Sequence, residues 1–231
     1  MRKSMLPLLL LTTAGFVTTS RHFGGWAVVT VDDLPDYAVV GRPVRLSFVV
    51  RQHGMTPLAG LQPVVEAKSG TANVSVTAVP DIGAGQYVAQ LNLSRPGDWT
   101  VTIQSGFRGT QTTLPPLRTV SAGTSAPRVL SDAERGRRLF IAKGCFMCHV
   151  NTEVTSAPSV RVGPDLTGRR YPAEQLAKFL AHPESMQLTQ LPRTGPFRMP
   201  NLGLKEREIA SLVAMINSGG REVSAVMPQR K

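Results

Sequence analysis

Two thiols and an imidazole fall within five consecutive residues, Cys145-Phe146-Met147-Cys148-His149, and these are the only two cysteines in the chain. Thiols three positions apart just after a helix can each add to one of two neighbouring vinyl groups of a haem. The next residue then presents its imidazole to the iron from the same side. C-x-x-C-H is the attachment pattern of c-type haem. Other chemistries use similar residues. A thioredoxin-like pair needs a βαβ context, whereas here a helical stretch ending in Lys143-Gly144 precedes the cysteines. A zinc site needs two further Cys or His ligands, and His182 is the one histidine after the motif. The cofactor expected is one covalently bound haem c.

The elements that must position this motif are helical. Ser131-Asp132-Ala133-Glu134 forms a capping box, in which hydroxyl and carboxylate each satisfy an orphan amide of the first turn. The helix it starts carries Gly136, Leu139 and Phe140 toward one face. A second helix is expected over Ala173–Leu180, with Leu176, Phe179 and Leu180 at three- and four-residue spacing, stopping at His182-Pro183. A third is expected from about Lys205 to Asn217, with Ile209, Leu212, Val213 and Ile216 apolar, ending at Gly219-Gly220.

Residues 131–217 resemble the class I cytochromes c. Four features carry the resemblance: the capped helix ahead of Cys145-x-x-Cys148-His149; the loop Gly163-Pro164-Asp165-Leu166-Thr167-Gly168; the helix before Pro183; and Arg198-Met199-Pro200-Asn201-Leu202 leading into the last helix. The resemblance implies an all-α haem domain with His149 and Met199 as axial ligands of the iron. It further implies that the Pro164 carbonyl accepts a hydrogen bond from the free ring nitrogen of His149. A soft thioether ligand favours Fe(II) and raises the reduction potential. Met186 and His182 are the alternative sixth ligands. Arg198, with Arg169, Arg170 and Tyr171, is a candidate to meet the haem propionates. Two positions depart from the family pattern: Met215 stands where an aromatic residue often packs near Gly136, and Lys205 where Ser, Thr or Asp usually caps the last helix.

The preceding part reads differently. Val44, Leu46, Phe48 and Val50 alternate with polar neighbours, the two-residue period of a half-buried strand. Tyr87, Ala89, Leu91 and Leu93 repeat it, as do Trp99, Val101 and Ile103. Weaker strands are expected over 26–31, 63–67, 74–78 and 110–114. Turn signals such as Gly83-Ala84-Gly85 and Pro96-Gly97-Asp98 separate them. About seven short strands in this span predict an antiparallel β-sandwich. Gly41-Arg42-Pro43-Val44, Gly85-Gln86-Tyr87 and Gly97-Asp98-Trp99-Thr100-Val101 make it similar to the Ig-like sandwiches of exported bacterial proteins, the YtkA-type and copper-resistance (CopC-type) domains. Trp26 and Trp99 are expected as core anchors. His53 and Met55 share a turn, a thin basis for a copper site. The fold class expected is two-domain: an all-β Ig-like sandwich at 24–118, a linker at 119–130, an all-α cytochrome c haem domain at 131–220, and a tail at 221–231.

Met1-Arg2-Lys3-Ser4 followed by the apolar run 5–17 has the pattern of a secretory leader. It is expected to occupy 1–22, with no clean cleavage site, and the thirteen-residue run is shorter than the ~20 that a membrane span needs. Export predicts the periplasm or the outer face of the cytoplasmic membrane. With no cysteine left for a structural disulfide, stability must come from the core or the cofactor. The net charge is +11, and residues 126–231 carry sixteen basic and nine acidic side chains. A basic surface favours acidic redox partners, as electron donors and acceptors or within a membrane-bound redox complex. Nothing accompanies the charge to suggest nucleic acid. The function expected is single-electron transfer rather than catalysis. The competing readings are a haem-bearing subunit of a periplasmic oxidoreductase and a haem-based sensor with a displaceable sixth ligand.

Overall fold

The computed structural model describes residues 25–185 and 198–219, and the backbone of residues 221 and 222. The expected leader, Met186 and the tail beyond Glu222 lie outside these residues.

Residues 27–120 form two sheets. One has the strand order β1 (Ala27–Val31), β3 (Val44–Gln52), β8 (Gln86–Leu91), β7 (Val79–Pro80), with β4 (Thr56–Pro57) pairing β3. The other runs β2 (Tyr37–Val39), β11 (Leu117–Val120), β9 (Gly97–Gln104), β5 (Val64–Ser69), β6 (Ala72–Thr77), with β10 (Gln111–Thr113) on β9. Every pairing is antiparallel except β2 with β11, which is parallel. The expected alternation is present: Leu46, Phe48 and Val50 of β3, Tyr87, Ala89 and Leu91 of β8, and Trp99, Val101 and Ile103 of β9 all enter one core. Large side chains of this kind stabilise by roughly 1.5–3 kcal/mol each when fully buried. Their polar tips are satisfied: Tyr87 Oη donates to the Leu58 carbonyl at 2.7 Å, and Trp99 Nε1 to the Arg95 carbonyl at 3.1 Å. Trp99 is the core anchor expected. Trp26 is half-buried and meets the His53 ring edge-on at 5.5 Å.

The short strands β2, β4, β7 and β11 are not legible as alternation, because two to four residues do not complete a period. The strand β11 carries the sheet to Val120. β1 departs from alternation altogether: all five of its residues are buried. One face of β1 enters the β-core, and Val28 on the other side meets Gly144, just past the end of the first helix.

The helical region follows. Helix α1 (Asp132–Ala142) opens on the predicted capping box, with Glu134 N donating to Ser131 Oγ at 3.3 Å and Ser131 N to Glu134 Oε2 at 2.8 Å. Helix α2 spans Ala173–Ala181 and α3 Glu206–Ile216. α1 crosses α3 at Gly136, where a Cβ would run into the Ser211 carbonyl and lie 2.5 Å from Met215 Cβ. Met215 is fully buried there and fills the place of the aromatic residue. Lys205 caps α3 by its backbone alone: its N–H donates to Glu208 Oε2 at 2.9 Å. Leu139, Phe140, Phe146, Leu166, Leu180, Leu212, Met215 and Ile216 form the buried heart of this region.

Candidate haem-binding site

α1 ends because Gly144 turns left-handed, at φ +76°, which lets the chain fold straight into a 3₁₀ turn over Cys145–Met147. Cys148 N donates to the Cys145 carbonyl at 3.1 Å and His149 N to the same oxygen at 2.9 Å. Both sulfurs and the imidazole are therefore carried on one compact turn. The two cysteines are free thiols and half-buried. Burial, and for Cys145 also the neighbouring Cys148, pushes them up, Cys145 to about 12 and Cys148 to about 11. Neutral, raised thiols are the opposite of the lowered thiolates of redox-active pairs. Among the described residues no three His, Cys, Asp or Glu side chains converge, the minimum for a protein-held zinc ion.

His149 Nδ1 lies 3.0 Å from the Pro164 carbonyl. A carbonyl only accepts, so Nδ1 carries the proton and Nε2 keeps its lone pair. Burial, only partly offset by that carbonyl, lowers the pKa of His149 and keeps the ring neutral. That is the tautomer and charge a metal ligand needs, and the second hydrogen bond fixes the plane of the ring. Gly163 lies flat against the imidazole, where a Cβ would stand 2.6 Å from Nδ1. The loop is laced to the motif by Gly163 N to the Cys148 carbonyl at 3.0 Å, Leu166 N to the Val150 carbonyl at 2.7 Å and Val160 N to the Met147 carbonyl at 2.8 Å. Beside His149 a cavity of about 300 Å³ opens, walled by Thr155, Pro158, Ser159 and Arg161.

Met199 is half-buried and packs on the same apolar cluster that Cys145, Met147, Tyr171 and Leu176 rim. Its segment is tied down by Asn201, whose Nδ2 donates to the Glu184 carboxylate at 3.2 Å and to the Ala181 carbonyl at 3.5 Å, and whose Oδ1 accepts from Gly203 N at 2.9 Å. The competing ligand His182 caps the C-terminus of α2 with its backbone, and its exposed ring lies 3.6 Å from Glu184. Arg198 is exposed, while Arg170 Nε donates to the Asn217 carbonyl at 2.9 Å. Cys145, Cys148, His149 and Pro164 are thus brought together, and Met199 joins them through the shared cluster. His53 and Met55 stay on the β-region, with Met55 exposed.

The residues fit a haem. Two free thiols and an imidazole whose Nε2 keeps its lone pair are carried on one turn, and half-buried apolar side chains pack against the cluster beside it. Sequence reasoning overlooked the lacing by Val160 and Gly163 and the Asn201 anchor. The Asn-x-Gly spacing of Asn201 and Gly203 is the signal that points to the second.

Among solved structures, the chain is similar to E. coli alpha-2-macroglobulin in its native conformation (17% identity, TM-score 0.35, covering 42% of this chain and 6% of that one). It is also similar to the superoxide reductase (neelaredoxin) of Ignicoccus hospitalis (11% identity, TM-score 0.26, covering 41% and 80%). At these scores neither likeness carries an argument. No curated protein matches. The family model Cytochrome c matches residues 133–219, from the first turn of α1 to the glycine after α3, so the helical region of this chain is a cytochrome c domain, a haem-bearing electron-transfer unit.

Proposed function

We propose that the chain is an exported one-haem cytochrome that carries single electrons, with His149 and Met199 as axial ligands. The observation that carries this reading is the His149–Pro164 contact, which leaves the Nε2 lone pair of the imidazole available on the same turn that carries two free thiols. Cys145 and Cys148 would hold the porphyrin as thioethers, and the bound haem supplies an iron that cycles between Fe(II) and Fe(III). His149 and Met199 would hold the haem iron: Pro164 and Gly163 fix the imidazole, and Asn201 ties the Met199 segment to the end of α2. Two strong ligands held in place minimise movement when the charge changes, which suits electron transfer rather than catalysis at the metal. The basic excess of residues 126–231 suits acidic partner surfaces, since transient exchange gains from electrostatic steering. Two sheets around one core support the Ig-like reading of residues 24–118. The leader pattern supports export, with the periplasm or the outer face of the membrane as location, and no described helix is long and apolar enough to cross a membrane.

The test is mass spectrometry of the denatured protein purified from an exporting host. The expected result is one haem added covalently, lost when Cys145 and Cys148 are replaced by Ala. A chain that carries no haem, or releases it on denaturation, contradicts the proposal.

A further inference from the structure

The residues just ahead of Cys145 are gripped by the β-region. Ala142, fully buried, is part of the β-core rather than of the helical cluster. Gly144 lies against β1, where a Cβ would meet the Val28 side chain and stand 2.8 Å from the Val29 carbonyl. Between them Lys143 is 4% exposed. Its Nζ pairs with Glu208 of α3 at 2.8 Å and donates to the Asp32 carbonyl, just past β1, at 2.7 Å. Its own carbonyl accepts from Thr30 Oγ1 of β1 at 3.3 Å. Asp32 is itself immobilised, its carboxylate accepting from Ser47 Oγ at 2.8 Å and Gln86 Nε2 at 2.9 Å. Around this centre the acidic 32–36 loop meets the basic side of the helices: Asp36 takes Arg135 at 2.8 Å, Asp33 takes Lys205 at 3.1 Å, and Arg138 donates to the Pro35 and Pro116 carbonyls.

We propose that the β-region is a positioning part of the haem site: β1 and Asp32 fix the turn that carries Cys145, and they keep the Lys143 cation buried two residues from it. Lys143 is a positioning residue that acts through that turn and through its field on the iron. The inference rests on the haem reading above. A buried cation favours the less positive Fe(II) state, because charge acts far more strongly in a low-dielectric interior than in water. Glu208 keeps its carboxylate beside the site only while it stays charged, and the proton that a buried, unpaired carboxylate tends to take up would offset part of the loss, so the shift is read against Lys143→Arg.

The experiment is redox titration and thermal melting of the full-length holoprotein, wild type and variants. Lys143→Met is expected to lower the Fe(II):Fe(III) ratio at fixed solution potential at least about threefold, and Lys143→Arg to restore most of it. An unchanged ratio in Lys143→Met overturns the proposal. Should that variant fail to fold, the pair Thr30→Val and Asp36→Asn keeps Lys143 and loosens only the β side. It is expected to lower the haem-absorption melting transition by about 5 °C while Trp fluorescence, which reports only the β-region, melts unchanged. An unmoved haem transition overturns the proposal. If the wild type carries no haem, the haem reading fails instead, and the same melt followed by helical circular dichroism still decides the junction.

Discussion

The two halves of this molecule are stabilised by different means. The β-region closes its core almost entirely on its own side chains, with Ala142 of α1 the one addition from the helical region: Trp99, Tyr87, Phe48, Leu91 and Ile103 are wholly buried, and the Trp99 and Tyr87 polar atoms are paired. The helical region buries a smaller set, headed by Phe140 and Leu212, and leaves Cys145, Met147, Tyr171, Leu176, Met199 and Leu204 half-buried around its rim. On the proposed reading, the first half folds almost wholly on its own side chains, whereas the second would be completed by a haem held through Cys145 and Cys148.

The sharpest way to break that contrast is to withhold the cofactor. Replacing Cys145 and Cys148 by Ala is expected to abolish haem absorption and most of the helical circular dichroism, with the Trp fluorescence melt little changed. Helices that persist undiminished without haem would erase the contrast. Next in size, Trp99→Ala empties the centre of the β-core and is expected to cost about 3–5 kcal/mol in urea unfolding followed by fluorescence of the remaining Trp26. A loss under 1 kcal/mol would mean the β-core is not closed as described. Gly136→Val drives a side chain into the Ser211 carbonyl at the α1–α3 crossing. Overpacking of this kind is expected to cost about 1–3 kcal/mol, seen as a lower haem-absorption melting temperature with the fluorescence melt unmoved.

The smallest effect sits at the start of α1. Ser131→Ala removes one half of the capping box and is expected to cost about 1 kcal/mol. The other half depends on pH. Glu134 has its pKa held well below the usual carboxylate range by Arg128 and by Ser131. A depressed folded pKa gives stability that is fully present above the ordinary carboxylate pKa and is lost as pH falls through the folded value. The melting difference between wild type and Glu134→Gln is therefore expected to be constant from pH 6 to 8 and to shrink below about pH 4. A difference that grew in acid would contradict the box.

Much of this was legible from residues alone, for reasons that differ by site. Cys145, Cys148 and His149 sit within one turn, so their spacing is their geometry. Ser131 and Glu134 act across one turn, and the cap follows. Val44–Val50 and Trp99–Ile103 show their buried face because each strand is long enough to complete several alternations. The strands β2 and β11 escaped notice because pairing 81 residues apart in sequence leaves no local trace in segments of three and four residues. The burial of Lys143 was equally hidden. A lysine beside a glycine at a helix end reads as solvated, and only the long-range approach of Asp32 and Glu208 makes it interior. The Pro164 acceptor came from family resemblance, since no spacing rule brings a carbonyl to an imidazole 15 residues away.

The central claim is that this chain holds a six-coordinate, Met-ligated iron for electron transfer. Its most direct test is the absorption spectrum of the purified holoprotein, oxidised and reduced, with and without carbon monoxide. A Met-ligated iron is expected to show a weak long-wavelength sulfur-to-iron band in the oxidised form that Met199→Ala abolishes, and a reduced spectrum that carbon monoxide leaves unchanged. A carbon monoxide shift in the wild type would contradict it, because it would mean that the sixth position is open or labile.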